Sequence, residues 1–466
     1  MKAACELKSD CIRWSPAPDA VLLEKYDARV PRYTSYPTAP HFHAGIGEGD
    51  YRRWLAEIDR DKPISLYLHI PFCKQLCWYC GCNTQVTNRS SALSDYVDAL
   101  LGEIALVRHA IGHAARVSSI HFGGGTPNAL SPRDLERILV ALRRQFSIDT
   151  SCEIAAEIDP RVLDGEWVDV AVANGLNRAS LGVQDLDPRV QAAINRIQPF
   201  ALTERAVERL RKAGVDSINL DLMYGLPHQT TETIARTIAD VLPLRADRFA
   251  LFGYAHVPWM KPAQKLIADA SLPDAAERFT QQSVAAALLV EAGYVQIGLD
   301  HFASREDQLA VSSGDGRLHR NFQGYTTDEA ETLVGLGASS IGRLDGGYIQ
   351  NATRIPEWRD ALAEGRLPVA RGIAVSDDDR MRRAIIETLM CSFRVDLGEF
   401  AAGFGLREGA FDTEIKNLRA FVDDGLVVLR DGRVSVTERG RPFVRSVCAV
   451  FDRYLDRSAG RHSRNI

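Results

Sequence analysis

Four cysteines fall within ten residues, in Cys73-Lys-Gln-Leu-Cys77-Trp-Tyr-Cys80-Gly-Cys82. Thiolates spaced C-x3-C-x2-C on one loop can wrap three corners of a cubane [4Fe–4S] cluster and leave the fourth iron without a protein ligand, a place for chemistry. A structural zinc site wants four ligands, usually as two C-x2-C knuckles set well apart, and Cys82 is too close to Cys80 to replace a distant knuckle. Cys82 has two readings: a fourth ligand that closes the cluster into an electron-transfer centre, or a free thiol beside an open one. Nine cysteines in a long chain, four of them crowded together, speak for metal or redox chemistry in a reducing compartment rather than for a disulfide framework. The expected location is the cytoplasm.

The elements that must position this loop follow from periodicity. From about residue 64, short apolar or β-branched runs alternate with amphipathic stretches, predicting strands at 64–70, 117–122, 152–158, 177–183, 217–222 and 248–254. Helices are expected between them, near 90–112, 131–145, 163–174, 201–213 and 230–242. Strands alternating with helices need crossover connections, so the fold class is α/β with a parallel sheet, doubly wound or curled into a barrel. Distinctive residues sit at the C-terminal ends of these strands: Cys73, Gly123 to Thr126, Glu157, Gln184, Asp221 and Ala255. That edge carries the ligand site in parallel α/β folds.

Glycines in Gly123-Gly-Gly-Thr-Pro127 allow close approach of backbone to a ligand. Glu157 and Asp221 suit ribose hydroxyls or an ammonium, Gln184 donates and accepts, and Arg196 suits a carboxylate. Tyr67 and His69 share a face of the first strand.

Residues 1–63 precede the repeat and contain Arg29-Val-Pro-Arg-Tyr-Thr-Ser-Tyr-Pro-Thr-Ala-Pro40, whose prolines exclude a regular helix. This predicts an irregular arm or lid over the barrel unit, 64–370. From 371 to 466 the pattern changes to helices near 376–392 and 408–425, an Asp431-Gly432 hairpin and a final helix to about 457, the order of a winged helix. Its 17 basic against 15 acidic residues favour a packing module over a DNA reader. The whole chain of 466 residues is 45% hydrophobic and 25% charged, with a formal net charge of −5. That composition excludes a disordered chain and gives no electrostatic case for nucleic acid. No apolar run approaches the roughly 20 residues of a membrane span, and the charged start lacks an export signal's apolar core.

The C-x3-C-x2-C loop directly after the first strand resembles the radical S-adenosylmethionine superfamily, and Gly123-Gly-Gly-Thr-Pro127 is similar to its glycine motif. Within that superfamily, several segments resemble the oxygen-independent coproporphyrinogen III oxidase (dehydrogenase) family: Pro31-Arg-Tyr-Thr-Ser-Tyr-Pro-Thr38, Tyr67-Leu-His-Ile-Pro-Phe-Cys73, Cys80-Gly-Cys-Asn83, Ala156-Glu-Ile-Asp-Pro160, Leu181-Gly-Val-Gln-Asp185, Asp221-Leu-Met-Tyr-Gly-Leu-Pro227, Tyr254-Ala-His-Val-Pro258 and Asn321-Phe-Gln-Gly-Tyr-Thr-Thr327.

The resemblance implies a partial (β/α)6 TIM-like barrel, a [4Fe–4S] cluster on Cys73, Cys77 and Cys80 but not Cys82, and two molecules of S-adenosylmethionine. It implies that Tyr67, Gly124, Glu157 and Ile341 contact the cosubstrate on the cluster. Tyr79, Gly125, Thr126, Gln184, Arg196, Asp221 and Ala255 would contact the second. Tyr79 stands where most members have Phe and keeps the aromatic face. Tyr67, His69 and Glu157 are the residues expected nearest the chemistry.

The implied reaction is oxidative decarboxylation of two propionates of coproporphyrinogen III to vinyl groups, giving protoporphyrinogen IX in haem biosynthesis through a 5′-deoxyadenosyl radical. Arg29, Arg32, Phe322 and Gln323 are candidate substrate contacts. The electron donor, a flavodoxin or ferredoxin by type, is not identified by the sequence, and a monomer is expected. The alternatives are a haem-chaperone or tetrapyrrole-modifying relative and, from another class, a zinc-bearing DNA-binding regulator.

Overall fold

The computed structural model describes residues 20–26, 29–407 and 409–455; Cys5 and Cys11 lie outside the described residues. Six strands, β1 (Ile64–Ile70), β2 (Arg116–Gly124), β3 (Ser147–Ile158), β4 (Arg178–Gln184), β5 (Ser217–Tyr224) and β6 (Arg248–Gly253), pair in parallel in that order. The crossover helices Ser90–Ile111, Pro132–Gln145, Gly165–Ala173, Phe200–Ala213 and Thr231–Val241 fall where the apolar periodicity places them.

Alternation in β1 explains how the sheet is used. Leu66, Leu68 and Ile70 are fully buried among helix residues such as Leu100, Ile104 and Val107. Tyr67 and His69, on the other face, look into the barrel. One interior cavity is lined by Ser65, Ser119, Glu153, Arg178, Asn219 and Phe252, one residue from each of β1 to β6. A sheet whose six strands all reach one cavity is curled.

The curl stays open. Thr332–Leu336 adds a further parallel strand outside β1, followed by antiparallel Ile341–Leu344, Gly347–Asn351 and Val369–Ala374. Antiparallel His301–Ala303 and Val295–Ile297 extend the other edge beyond β6. These two edges never pair, so the barrel is partial. Periodicity did not mark the added strands, because each has three to six residues, too few for an alternation to stand out.

The C-terminal segment has helices Asp377–Ser392, Leu397–Gly403 and Asp412–Asp423 and a small antiparallel sheet of Arg394–Asp396, Arg433–Val436 and Val427–Arg430. Its hairpin turns at Asp431 and Gly432, with φ of 49° and 78°, the conformation that Asp-Gly favours. The final helix is shorter than its apolar pattern implies, running only Val444–Cys448. Pro442 holds the entry in a 3-10 turn, and after the helix Asp452 accepts from the backbone N–H of Tyr454 and the hydroxyl of Tyr33. The N-terminal arm packs on this module: Leu22, Leu23, Tyr26, Val30, Tyr33 and Tyr36 share one core with Ile385, Leu389 and Phe451.

Candidate active site

The cysteine loop leaves β1 through Pro71 and Phe72 and forms one wall of a cavity of about 250 Å³ at the C-terminal end of the barrel. Cys73, Cys77, Tyr79, Cys80 and Cys82 line it from the loop. Gly124, Gly125, Thr126, Glu157, Gln184 and Asp221 line it from the strands and their ends, and Arg196 from the turn after the short helix Pro188–Ala193. Cys73 is held by two hydroxyls: its sulfur lies 3.2 Å from Thr84 Oγ1 and accepts from Thr126 Oγ1 at 3.4 Å. Two guanidiniums approach Cys77, Arg161 at 3.5 Å and Arg196 at 3.6 Å. The backbone N–H of Cys82 donates to the Cys80 sulfur at 3.4 Å, and the neighbouring Cys82 thiol brings Cys80 down to about 6.

Among the described residues, no three His, Cys, Asp or Glu side chains gather around a single-ion site. A cubane asks for something else, each thiolate on its own iron.

Glycine at 124 is required twice over. Its φ is 109°, and a Cβ there would lie 2.6 Å from the His69 ring. The N–H groups of this turn are already committed, Gly124 to Glu157 Oε2 at 3.1 Å and Gly125 to the carbonyl of Ile70 at 2.8 Å. A ligand at the glycine turn therefore does not find the Gly124 and Gly125 amides free.

Pairing register places Tyr67 beside His121, Glu157 beside Ser180 and Gly182 beside Asp221. Forty per cent of the Glu157 side chain is open to the cavity. Burial opposes its charge, but hydrogen bonds from His121 and Gly124 outweigh that and hold the carboxyl below its usual range. Asp221 shifts the other way. Burial raises it to about 6, against hydrogen bonds from Ser180 and Asn219 at 2.8 and 2.7 Å and with the charge of Glu157 adding to the rise. Two carboxyl groups at one cavity thus differ in protonation below neutrality.

Gln184 ends β4 in the left-handed region, φ 68°, at an irregularity in its pairing with β5. This turns its side chain toward the cavity at the cost of backbone strain.

Arg196, 6% exposed, donates to the carbonyl of Gly182 at 2.7 Å, while its buried Nε has no partner among the described residues. Asp159 accepts from both Arg161 and Arg196. Tyr67 and His69 lie just behind the glycine turn, their side chains 3.1 Å apart, and the His69 Nε2 meets the carbonyl of Asn83 at 2.9 Å.

Three predicted contacts do not line this cavity, Tyr67 behind the glycine turn among them. Ala255 lines a neighbouring one beyond β6, and Ile341 packs near Phe322 and Tyr348 at the barrel edge.

Comparison with known proteins gives the family. The Radical SAM superfamily pattern matches residues 67–241 and the HemN C-terminal domain pattern residues 375–443. An oxygen-independent coproporphyrinogen III oxidase from Bradyrhizobium diazoefficiens is 48% identical over 440 residues, covering 94% of this chain and 98% of the relative. One from Paracoccus denitrificans is 44% identical, covering 95% and 97%. This chain belongs to the oxygen-independent coproporphyrinogen III oxidase family. The solved structure of coproporphyrinogen III oxidase (HemN) from Escherichia coli, titled a radical SAM enzyme, superposes with a TM-score of 0.88 at 39% identity, covering 94% of this chain and 99% of that one.

As a radical SAM member of this oxidase family, the chain takes a [4Fe–4S] cluster and S-adenosylmethionine. The residues present fit both: four thiols on one loop line a cavity whose rim offers an orphan guanidinium N–H and a charged carboxylate. Sequence reasoning missed Asp159, Arg161 and His121. All three follow strand logic, His121 as an interior position of β2 and Asp159-Pro160-Arg161 as the turn after β3, but a polar residue at such a place also reads as an ordinary strand-end hydrogen bond.

Proposed function

We propose that this chain performs the oxygen-independent conversion of coproporphyrinogen III to protoporphyrinogen IX in haem biosynthesis, oxidatively decarboxylating two propionates to vinyl groups. The observation that carries this reading is 44–48% identity to members of the oxidase family over nearly the whole chain, together with the cysteine cavity at the barrel mouth. When bound, the cluster and S-adenosylmethionine supply a 5′-deoxyadenosyl radical that takes a hydrogen from the propionate side chain. The chain's own share is binding, orientation and exclusion of water.

In this reading Cys73, Cys77 and Cys80 hold the cluster and Cys82 does not. Arg161 and Arg196, both close to the Cys77 sulfur, tune its electrostatics. Tyr67, Gly124, Glu157 and Ile341 hold one cosubstrate. Tyr79, Gly125, Thr126, Gln184, Arg196, Asp221 and Ala255 hold a second. The orphan Nε of Arg196 supports a carboxylate partner there, and the low-lying carboxyl of Glu157 supports an ammonium or hydroxyl partner. Ala255 and Ile341 rest on the family resemblance alone.

His69 positions Tyr67 and carries no proton in the reaction. Residues 1–63 act as a substrate-covering arm on the barrel unit of 64–370, and 371–466 form the module that the arm packs against. A monomer in the cytoplasm, reduced by a flavodoxin- or ferredoxin-type donor, completes the proposal; among the described residues no helix is long and apolar enough to cross a membrane.

The test is anaerobic incubation of reconstituted protein with S-adenosylmethionine, reductant and coproporphyrinogen III. Vinyl product with 5′-deoxyadenosine is expected. Deoxyadenosine without tetrapyrrole turnover would point to another substrate.

A further inference from the structure

A cavity of about 530 Å³ lies beyond β6, and its lining is strongly cationic: Arg29, Arg32, Arg278, Arg320 and Arg445 against three aspartates. The arginines come from the N-terminal arm, the helix Ala275–Glu291, the strand His319–Asn321 and the helix Val444–Cys448. Two of the aspartates are engaged by histidines, Asp300 by His301 at 2.7 Å and Asp269 by His256 at 3.0 Å.

Backbone carbonyls are among the acceptors that hold these guanidiniums. Arg445 donates to the carbonyls of Pro31 and Val30, Arg320 to that of Arg32, and Arg32 to that of Gly253 at the end of β6. Arg278 donates to the carbonyls of Gly225 and Tyr254. These bonds strap the arm across the cavity and aim its arginines inward. Arg320 is the telling case. It is 8% exposed, lies over the Tyr325 ring at 4.4 Å, and its buried Nε and Nη1 have no partner among the described residues. Leaving two donors of a buried cation unmatched is costly, and an anionic ligand removes that cost.

The cavity adjoins the reaction chamber. Phe252 lines both it and the barrel interior, and the interior shares Glu157, Ser180 and Asp221 with the cysteine cavity. Apolar wall is supplied by Phe252, Trp259, Leu272 and Leu299. A ligand with a flat apolar body and several carboxylate arms meets both requirements, one arm anchored on arginine forks while the body extends toward the chamber.

We propose that this arginine-lined cavity binds propionate carboxylates of the tetrapyrrole that are not under attack, with Arg32, Arg278 and Arg320 as the carboxylate-binding residues. The proposal deepens the functional reading above and rests on it. The same carboxylate chemistry has a second source, the methionine end of a cosubstrate, and the experiment separates the two.

Reconstituted holoenzyme is titrated anaerobically with coproporphyrin III, the stable oxidised form of the substrate, and separately with S-adenosylmethionine. Arg32→Gln and Arg278→Gln are each expected to weaken coproporphyrin III binding about tenfold or more. Arg278→Lys should recover part of the loss, since it keeps the charge without the fork. Arg366→Gln, which removes a surface partner of Glu364, should bind as wild type, and iron content checks that every variant is folded. Arg32 is exposed, so its variant stays informative if loss of Arg278 disturbs packing. Binding of coproporphyrin III within about twofold of wild type in both Gln variants, or weakened binding of S-adenosylmethionine alone, would overturn the proposal. A wild-type protein that fails to bind coproporphyrin III would instead overturn the reading of the reaction.

Discussion

Tyr67 and His69, two residues apart on β1, are joined by a hydrogen bond whose direction is fixed by a third group. The carbonyl of Asn83 can only accept, so His69 Nε2 carries the ring proton and Nδ1 accepts from the Tyr67 hydroxyl. Burial lowers the His69 pKa below 6.5, against the Asn83 hydrogen bond and the charge of Glu157, and keeps the ring neutral above that pH. His69 therefore locks the tyrosine behind the glycine turn and ties the end of the cysteine loop to the barrel. His69→Ala should leave the Asn83 carbonyl and the Tyr67 hydroxyl unpaired, costing about 2 kcal/mol of stability and lowering product formation about 10–100-fold. Urea midpoints and the rate of vinyl formation check this. The wild-type rate should show no inflection from His69 above pH 6.5.

The four clustered thiols should not be equivalent. Replacing Cys73, Cys77 or Cys80 by Ala is expected to remove iron and labile sulfide and to abolish 5′-deoxyadenosine formation. Cys82→Ser should keep the cluster, because Cys82 is exposed and its backbone N–H and its side chain both act as donors to the Cys80 sulfur, a role that a serine hydroxyl retains. Iron and sulfide assays on anaerobically purified variants decide it; loss of the cluster in Cys82→Ser would reassign the fourth ligand.

Asp221 and Glu157 predict a pH dependence with a definite sign. Asp221 is raised to about 6, so it becomes a full carboxylate acceptor only above that value, whereas Glu157 is already ionised there. Affinity for S-adenosylmethionine should rise with pH through about 6. Asp221→Asn should remove that rise and weaken binding about tenfold at neutral pH. Equilibrium binding across pH 5 to 8 is the measurement.

Glu103 predicts a dependence of stability on pH that is separate from catalysis. It is buried on the helix Ser90–Ile111 and accepts from Gly337 N, Asn351 Nδ2 and Trp358 Nε1 at 2.7, 2.6 and 3.1 Å. Burial raises its pKa from 4.5 to about 7, against those three hydrogen bonds. A raised carboxyl contributes stability that is fully present below pH 4.5 and lost as pH rises through about 7. The loss amounts to about 3 kcal/mol. Glu103→Gln should flatten this slope in urea unfolding between pH 4.5 and 7.

How much of this was legible beforehand depended on pattern length. The six strands and five crossover helices show in the sequence because each carries several turns or alternations of apolar residues, and the cysteine spacing points to a cluster loop while leaving the part of Cys82 open. The strand Thr332–Leu336 did not show: five residues carry too little period, and only its pairing with β1 reveals its place. Arg161 was hidden for another reason. Its side chain matters because Asp159 swings it toward Cys77, and a contact between residues 84 positions apart has no local signal. Arg320 and Arg445 were hidden likewise, their role arising where the arm, a hairpin and the C-terminal helix converge.

The strap between the two ends of the chain also bears on biosynthesis. Arg445 grips Pro31 from 414 residues away. At a translation rate of about 5–20 residues per second, the arm emerges roughly 20–80 s before its anchor exists. Throughout that interval the barrel can form while one wall of the arginine-lined cavity is absent. A nascent chain thus passes through a stage with its redox loop made and its substrate chamber unroofed, which places the competence to turn over after completion of the final helix rather than after completion of the barrel.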